Sequence, residues 1–234
     1  FPIDFEVHPA DADTIVANNY GGGNFLSRDG GQTWIDASAG YTGATLRDVA
    51  VDPDDPMRVF AIGRSGPFCS SDGGTTWQGL AFGVASFPEW FTIEVDPVNS
   101  DRIFASSEFE GDLIVSTDGG RNWTGAAGMA VFKGRVGERY GVRVVAFAPS
   151  NPMVVYAGMR RDSHGDDFSR NEPGFGVMRS DDGGLSWTTA NDSRIADKNI
   201  NDLAVHPDNS DVVYAATDRN GVFVTRDGGA TWLG

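Results

Sequence analysis

The chain has 234 residues and a formal net charge of −15 at pH 7. So acidic a balance excludes a nucleic-acid partner, because contacts to phosphate need clustered Lys and Arg. No apolar stretch approaches the roughly 18 residues of a membrane-spanning helix, and a single cysteine, Cys69, excludes an internal disulfide. The 31 glycines and 11 prolines predict many short strands joined by tight turns.

One eight-residue pattern, Ser/Thr-x-Asp-Gly-Gly-x-x-Trp, occurs five times. Its successive aspartates lie 43, 46, 64 and 45 residues apart. A period of about 45 residues is typical of a β-propeller, in which each repeat forms one blade. In the five copies the aspartate is Asp29, Asp72, Asp118, Asp182 and Asp227, and the tryptophan is Trp34, Trp77, Trp123, Trp187 and Trp232.

In chain order, the repeats predict blades at about residues 1–40, 41–84, 85–130, 131–194 and 195–234. The last repeat has the clearest pattern, with strands at 201–206, 212–217 and 221–225 and a fourth strand opening at Trp232. Its strands are apolar on both faces, as expected where blades pack face to face. The predicted fold class is therefore all-β, a β-propeller of four-stranded antiparallel blades in a single domain.

The octapeptide has a mechanical explanation. Its aspartate is expected to accept hydrogen bonds from the backbone of its own turn, and its glycines permit positive φ without steric cost. The Ser or Thr hydroxyl ties the incoming strand to the turn, and the tryptophan is expected to bury its ring between neighbouring blades. We therefore assign the five turns a structural role.

The pattern resembles the Asp-box, or bacterial neuraminidase repeat. It is similar to that of sialidases, xyloglucan-active glycoside hydrolases, sortilin-type receptors and the photosystem II assembly factor propeller. The resemblance implies a propeller fold but does not choose among functions, because these relatives include enzymes, receptors and assembly factors. It also implies an extracytoplasmic location, secreted or periplasmic.

The chain enters directly at a first strand and ends just after the fifth tryptophan. Since unpaired strand edges invite aggregation, we expect these five repeats to belong to a larger ring, completed by further blades from the same or another chain. A compact five-bladed ring is the alternative.

Loop length distinguishes the two faces of the predicted propeller. The octapeptide turns are short, whereas the loops at 18–24, 36–45, 79–90, 125–141 and 160–176 emerge on the other face, which we call the long-loop face. Long loops on a rigid scaffold are where binding usually takes place. The candidate ligand-binding residues there are aromatic or basic: Tyr20, Trp90, Arg135, Arg139, Tyr140, Arg160 and Arg161.

The arginines of this face suit a carboxylate-bearing sugar or an acidic protein, or they pair with neighbouring acids in a solvated loop. His164 lies among Asp162, Asp166 and Asp167, but these residues match no established ligand motif. We predict neither a metal nor a cofactor.

A glycoside hydrolase needs two carboxylates on either side of the scissile bond. The segment Tyr214–Gly221 is similar to the Tyr-Ala-x-Thr-Asp-x-Gly-Gly segment of the xyloglucan-active enzymes, which makes Asp218 the candidate catalytic residue. The departure at Arg219 and Asn220 weakens the match, and no second carboxylate is assigned. The Arg of the sialidase Phe/Tyr-Arg-Ile-Pro signature is absent. We therefore favour a non-catalytic recognition or assembly scaffold that binds a protein or glycan, with a xyloglucanase-like hydrolase as the alternative.

Overall fold

The computed structural model describes residues 2–9, 11–19, 24–37, 46–63, 66–80, 90–107, 113–129, 140–161 and 174–234. These residues form nineteen β-strands. The strands make five antiparallel sheets of three or four strands each, consistent with the blades of a β-propeller. Within the described residues there is no helix long and apolar enough to cross a membrane.

Each of the first three sheets is built from four consecutive strands, adjacent in chain order. The first contains β1 (Pro2–His8), β2 (Asp11–Asn19), β3 (Asn24–Ser27) and β4 (Ile35–Asp36). The second contains β5 (Leu46–Val51), β6 (Val59–Gly63), β7 (Gly66–Ser70) and β8 (Gln78–Gly79). The third contains β9 (Trp90–Asp96), β10 (Asn99–Ser107), β11 (Leu113–Ser116) and β12 (Thr124–Gly125).

The last two sheets differ in strand number. The fourth contains β13 (Tyr140–Phe147), β14 (Val155–Arg161), β15 (Val177–Ser180) and β16 (Thr188–Thr189), and the fifth contains β17 (Ile200–His206), β18 (Asn209–Thr217) and β19 (Val222–Thr225). Where a fourth strand was predicted to open at Trp232, Leu233 makes an isolated antiparallel bridge to Val224 of β19.

The chain divides into two compact units. The first comprises Phe1–Ala105 with Ser116–Thr124, and the second comprises Ser106–Val115 with Gly125–Gly234. The first unit therefore holds the whole of the first and second sheets, and the second unit holds the whole of the fourth and fifth.

In the first unit the core lies between the first two sheets. Val16 and Leu26 of the first sheet are paired in register and share a face. They join a buried cluster with Val49 and Ala61 of the second sheet and with Trp77. In a sheet covered on both sides, alternate residues of a strand enter two different cores. This explains why all five residues of β6 are buried.

The second unit repeats this arrangement between the fourth and fifth sheets. Tyr156 and Val177 of the fourth sheet belong to one buried cluster with Leu203 and Phe223 of the fifth and with Trp232. The indole of Trp232 is fully buried. Burial of a large aromatic ring between two sheets supplies much of the apolar contact that holds them together.

The innermost strands share an irregularity near their starts. The pairing register skips one residue in β1, β5, β13 and β17, at Ile3, Arg47, Arg143 and Asn201 respectively. A β-bulge of this kind bends the strand and redirects a side chain at the sheet margin. In three of these four sheets the skipped residue is polar. It lies near the start of the first strand, the end that borders the long-loop face.

Candidate functional site

The octapeptide turns form the same hydrogen bonds in all five copies. In the first, the carboxylate Oδ1 of Asp29 accepts from the N–H of Thr33 at 2.8 Å, and the hydroxyl of Ser27 accepts from the N–H of Gly31 at 2.8 Å. The equivalent carboxylate bond is also 2.8 Å at Asp72, Asp118, Asp182 and Asp227. The aspartates therefore accept from their own turns, which supports a structural role.

These hydrogen bonds also keep the turn carboxylates ionised. The side chain and backbone of Asn122 donate to Asp118 and lower its pKa from 3.8 to about 2. Thr231 has the same effect on Asp227, whose pKa also falls to about 2. Because a general acid must hold a proton near neutral pH, these aspartates are unsuited to acid catalysis.

The tryptophans of the turns differ in burial. Trp77, Trp187 and Trp232 are at most 5% exposed, whereas Trp34 is 42% exposed and Trp123 is partly buried. The expectation that every ring is buried between neighbours is therefore wrong for Trp34. The indole Nε1 atom of Trp34 donates to the carbonyl of Gly31 within its own turn, at 3.0 Å.

In the second unit, three segments of the long-loop face meet at Asn199. The side-chain oxygen of Asn199 accepts a 2.8 Å hydrogen bond from the N–H of Arg161, at the end of β14. Its backbone carbonyl accepts a 3.0 Å bond from the N–H of Asp218, just after β18. The structure thus brings together Arg160, Arg161 and Asp218, three residues that the sequence proposed separately. We call this the Asn199 junction.

The long insertion between β14 and β15 also starts and ends at the junction. Arg161 precedes the undescribed residues 162–173, and Gly174 follows them. The N–H of Gly174 donates to the carbonyl of Asp197 at 2.6 Å, and that of Gly176 donates to Lys198 at 3.0 Å. A Cβ at position 174 would lie 2.2 Å from the Lys198 carbonyl oxygen. Glycine is therefore required for this close backbone approach.

Next to the junction, Arg160 reaches the first residues of the fifth sheet. Its guanidinium lies 3.4 Å from the side-chain oxygen of Asn201. The pairing of β17 with β18 skips Asn201, so this residue lies in a β-bulge at the start of β17. The sequence analysis missed Asn199 and Asn201. These two asparagines alternate with the apolar Ile200, and that alternation could have identified them, since polar residues at every second position mark the exposed side of a strand.

Asp218 occupies a tight turn between β18 and β19. The hydroxyl of Thr217 donates to the carbonyl of Gly221 at 2.7 Å and closes the turn. The Asp218 side chain is 40% exposed, and its carboxylate lies 3.8 Å from the Nε atom of Arg219.

The other predicted ligand-binding residues are placed as follows. Trp90 is only 3% exposed, so its ring is covered rather than offered for stacking on a sugar. The backbone of Tyr140 pairs with Arg161 at the start of β13, beside the junction. Tyr20, Arg135 and Arg139 lie outside the described residues, as does the His164 group. Among the residues that are described, no cluster of three or more potential metal ligands occurs.

The first unit contains carboxyl groups that the sequence analysis did not single out. Glu6 and Glu94 line a cavity of about 220 Å³ together with Ala50, Val51 and three prolines. The surrounding protein and the nearby Asp4 raise the pKa of Glu6 from 4.5 to about 7. Because ligand pockets usually exceed about 300 Å³, this cavity is too small for a sugar chain.

A second carboxyl group of this unit, that of the half-buried Asp48, also lies near Asp4. The side chain of Asp48 accepts from the hydroxyl of Thr92 at 2.5 Å and from the N–H of Ile93 at 2.9 Å. Burial and the neighbouring Asp4 nevertheless raise the pKa of Asp48 well above its usual value. The two hydrogen bonds that Asp48 accepts connect its own strand, β5, to β9. We therefore regard it as a structural group.

Comparison with known proteins supports the fold. No family model matches the chain. A curated xyloglucanase from Paenibacillus sp. is 27% identical over 214 residues, which are 89% of this chain and 19% of that protein. The crystal structure of an ancestral GH74 enzyme covers 99% of this chain with a TM-score of 0.79 and 21% identity, over 30% of its own chain. The structure of YCF48 from Cyanidioschyzon merolae matches 99% of this chain and 84% of its own, with a TM-score of 0.55 and 16% identity.

These similarities show a β-propeller fold of the kind found in xyloglucanases and in YCF48. At such identities, likeness of structure does not extend to activity. The chain spans about a fifth of the curated xyloglucanase and under a third of the ancestral enzyme.

Proposed function

We propose that this chain is a non-catalytic propeller segment that recognises xyloglucan through the Asn199 junction on its long-loop face. The observation that carries the proposal is the pair of hydrogen bonds to Asn199, from Arg161 and from Asp218. Both donors are backbone N–H groups, so these bonds bring the chain at Arg161 and at Asp218 to the same asparagine, next to the contact between the Arg160 guanidinium and Asn201. Such side chains supply the donors and acceptors that sugar hydroxyl groups need.

The choice of a glycan over a protein ligand rests on the relatives. The curated relative is a xyloglucanase, and the fold agrees better with a GH74 enzyme than with YCF48, at TM-scores of 0.79 and 0.55. A xyloglucan ligand is consistent with the extracytoplasmic location expected from the sequence. The charged residues of the junction favour a polar ligand over an apolar protein surface.

Hydrolysis is the second candidate function, because Asp218 matches the position of a catalytic aspartate in the xyloglucan-active enzymes. Two observations argue against that role: the segment departs from the xyloglucan-active pattern at Arg219 and Asn220, and no second carboxylate is assigned on the other side of the scissile bond. We therefore assign Asp218 to ligand contact.

The test is a binding measurement with soluble xyloglucan by affinity gel electrophoresis and calorimetry. We expect Arg160→Ala and Asn201→Ala to weaken binding by roughly tenfold each, the equivalent of one to two lost hydrogen bonds. Arg121→Ala is the matched control, because Arg121 is an exposed arginine of an octapeptide turn. Absence of xyloglucan binding by the unmodified protein, or equal weakening by the control, would overturn the proposal.

The hydrolase alternative is tested on the same preparations by assaying the release of reducing ends. We expect no release above background for the unmodified protein or for Asp218→Asn. Release that is abolished by Asp218→Asn would show that the chain is an enzyme and that Asp218 is catalytic.

A further inference from the structure

Arg160 is a half-buried cation of the second unit for which the described residues supply no carboxylate. Its one contact among them is the 3.4 Å hydrogen bond from its guanidinium to the side-chain oxygen of Asn201. A guanidinium carries five N–H donors, so most of these donors have no acceptor in the described part of the chain. Covering a charge from water is costly unless an opposite charge compensates it. Arg160 therefore resembles one half of an ion pair.

Two other half-buried arginines of the chain have a carboxylate partner. The guanidinium of Arg58 lies 3.0 Å from the carboxylate of Asp52, in the first unit. That of Arg179 lies 2.7 Å from the carboxylate of Asp211, in the second unit. Arg160 departs from this arrangement, although it is covered to a similar degree.

The acidic residues around the Asn199 junction have other partners. The carboxylate of Asp197 lies 2.9 Å from the ammonium group of Lys198, and that of Asp218 lies 3.8 Å from Arg219. Asp202 accepts from the backbone N–H of the residue that follows it, at 2.9 Å. None of these three acids contacts Arg160. The described acids of the junction thus leave its guanidinium to an external anion.

Asn201 adds uncharged donors at the same place. Because a guanidinium can only donate, the amide oxygen of Asn201 must be the atom that faces Arg160. The Nδ2 group of Asn201 brings two further N–H donors, which have no acceptor within the described residues. A cation and an amide that offer only donors suit an oxyanion better than a neutral hydroxyl group, which has a proton of its own to donate.

We infer that Arg160 and Asn201 form a subsite for the carboxylate of a uronic acid, so that the ligand of the junction is an acidic xyloglucan. This inference rests on the proposed function, which assigns the remainder of the sugar chain to the same junction. The planar guanidinium matches the two oxygens of a carboxylate in a bidentate pair, and the Asn201 amide can donate a third hydrogen bond to it. A carboxylate gives the half-buried cation the partner that the described chain lacks.

The test compares three preparations of one polysaccharide by calorimetric titration. Oxidised xyloglucan carries carboxylates in place of primary hydroxyl groups, its methyl ester lacks only the charge, and untreated xyloglucan is the neutral reference. We expect the unmodified protein to bind oxidised xyloglucan about tenfold more tightly than the methyl ester, because charge-assisted hydrogen bonds are roughly twice as strong as neutral ones. The ratio of these two Kd values is the quantity that reports the subsite.

Two variants should remove this preference in different ways. Arg160→Gln deletes the charge, and Asn201→Asp installs a carboxylate beside Arg160 in the manner of Asp52 beside Arg58. In both variants we expect the ratio of the two Kd values to fall to about one or below. Arg121→Gln is the control and should keep the ratio, because Arg121 is an exposed arginine of an octapeptide turn in the first unit. Circular dichroism checks the fold of each variant. Arg160→Lys replaces a variant that fails to fold and should keep only part of the preference, because an ammonium group lacks the planar fork.

A ratio of one for the unmodified protein would overturn the inference, while its binding of untreated xyloglucan would leave the proposed function intact. Binding of oxidised but not of untreated xyloglucan would support the inference and overturn recognition of the neutral polymer. Free D-glucuronate tests the subsite without a polysaccharide: it should shift the side-chain NMR signals of Arg160 and Asn201, and its methyl ester should not. Absence of these shifts, or equal shifts with inorganic sulfate, would overturn the assignment to a carboxylate.

Discussion

The backbone N–H of Arg161 donates a 2.8 Å hydrogen bond to the side-chain oxygen of Asn199. This bond joins the end of β14 to the residue that precedes β17, and the carbonyl of the same asparagine accepts from Asp218. One side chain thus connects two sheets of the second unit where the long insertion begins. Its removal should affect both stability and ligand binding.

We expect Asn199→Ala to lower the free energy of unfolding by about 1–2 kcal/mol, because the N–H of Arg161 loses its acceptor. Xyloglucan binding should weaken as well, since the end of β14, which carries Arg160, loses its bond to the Asn199 side chain, whereas the bond from Asp218 to the backbone carbonyl of residue 199 remains. Asn209→Ala is the control: the Asn209 side chain also accepts a backbone N–H, from Asp211 at 3.0 Å, but in an exposed turn of the other face. Urea unfolding and calorimetric titration measure the two effects. Equal loss of xyloglucan affinity in both variants would contradict the role of the junction.

The glycines of the octapeptide provide a test of backbone conformation alone. Gly74 has a φ of 84°, and a Cβ there would make only ordinary contacts with Trp77 and Val16, at 3.6 and 3.7 Å. We expect Gly74→Ala to cost about 1–2 kcal/mol, the penalty of a left-handed conformation for a residue with a side chain. Gly79→Ala should cost far less, because Gly79 lies in a strand without positive φ and its nearest contact is at 3.9 Å. Chemical denaturation compares the two, and equal losses would refute the conformational explanation.

The turn hydrogen bonds and the sheet-forming strands could be predicted from the sequence because both depend on local interactions. An aspartate such as Asp29 bonds within five residues of itself, and the pattern Asp-Gly-Gly specifies that turn. Apolar strands such as β6 follow from composition and period alone. The all-β class with antiparallel sheets is confirmed.

The junction could be predicted only in part, because its hydrogen bonds join residues far apart in the chain. Loop length singled out the region of Arg160 and Arg161, and the resemblance to the xyloglucan-active enzymes singled out Asp218. The alternation around Ile200 could have indicated an exposed side of the strand, but not the role of Asn199, which comes from partners 38 and 19 residues away. Likewise, the burial of Trp90 depends on neighbours that sequence spacing does not identify.

The tryptophans test whether the indole hydrogen bond between sheets contributes to stability. Trp77→Phe removes the donor to Ala37, which is bonded at 2.5 Å, from a side chain that is 5% exposed. We expect a loss of about 1–3 kcal/mol, because a buried carbonyl loses its donor and the smaller ring leaves space. Trp34→Phe should cost under about 1 kcal/mol, since Trp34 is 42% exposed. Thermal and urea unfolding give both values, and similar losses would argue against the intersheet bond.

From the raised pKa values in the first unit we predict that the free energy of unfolding falls as the pH rises. The protein packed around the Glu6 carboxyl, with a contribution from Asp4, raises its pKa in the folded protein from 4.5 to about 7, although the residue as a whole is exposed. The folded state therefore holds this proton more tightly than the unfolded chain does. The resulting stabilisation is complete below about pH 4.5 and is lost as the pH rises through about 7.

Glu6→Gln removes this titration while keeping the size and polarity of the side chain. We expect the free energy of unfolding of the unmodified protein to fall between about pH 5 and pH 8, and that of the variant to fall less. A smaller decline should remain in the variant, because the pKa of Asp48 is raised by burial in the same unit. Asp218→Asn is the control, since its side chain is 40% exposed and it lies in the other unit. Urea unfolding across this range decides the matter: parallel pH profiles for the unmodified protein and Glu6→Gln would mean that Glu6 is not protonated in the folded state near neutral pH.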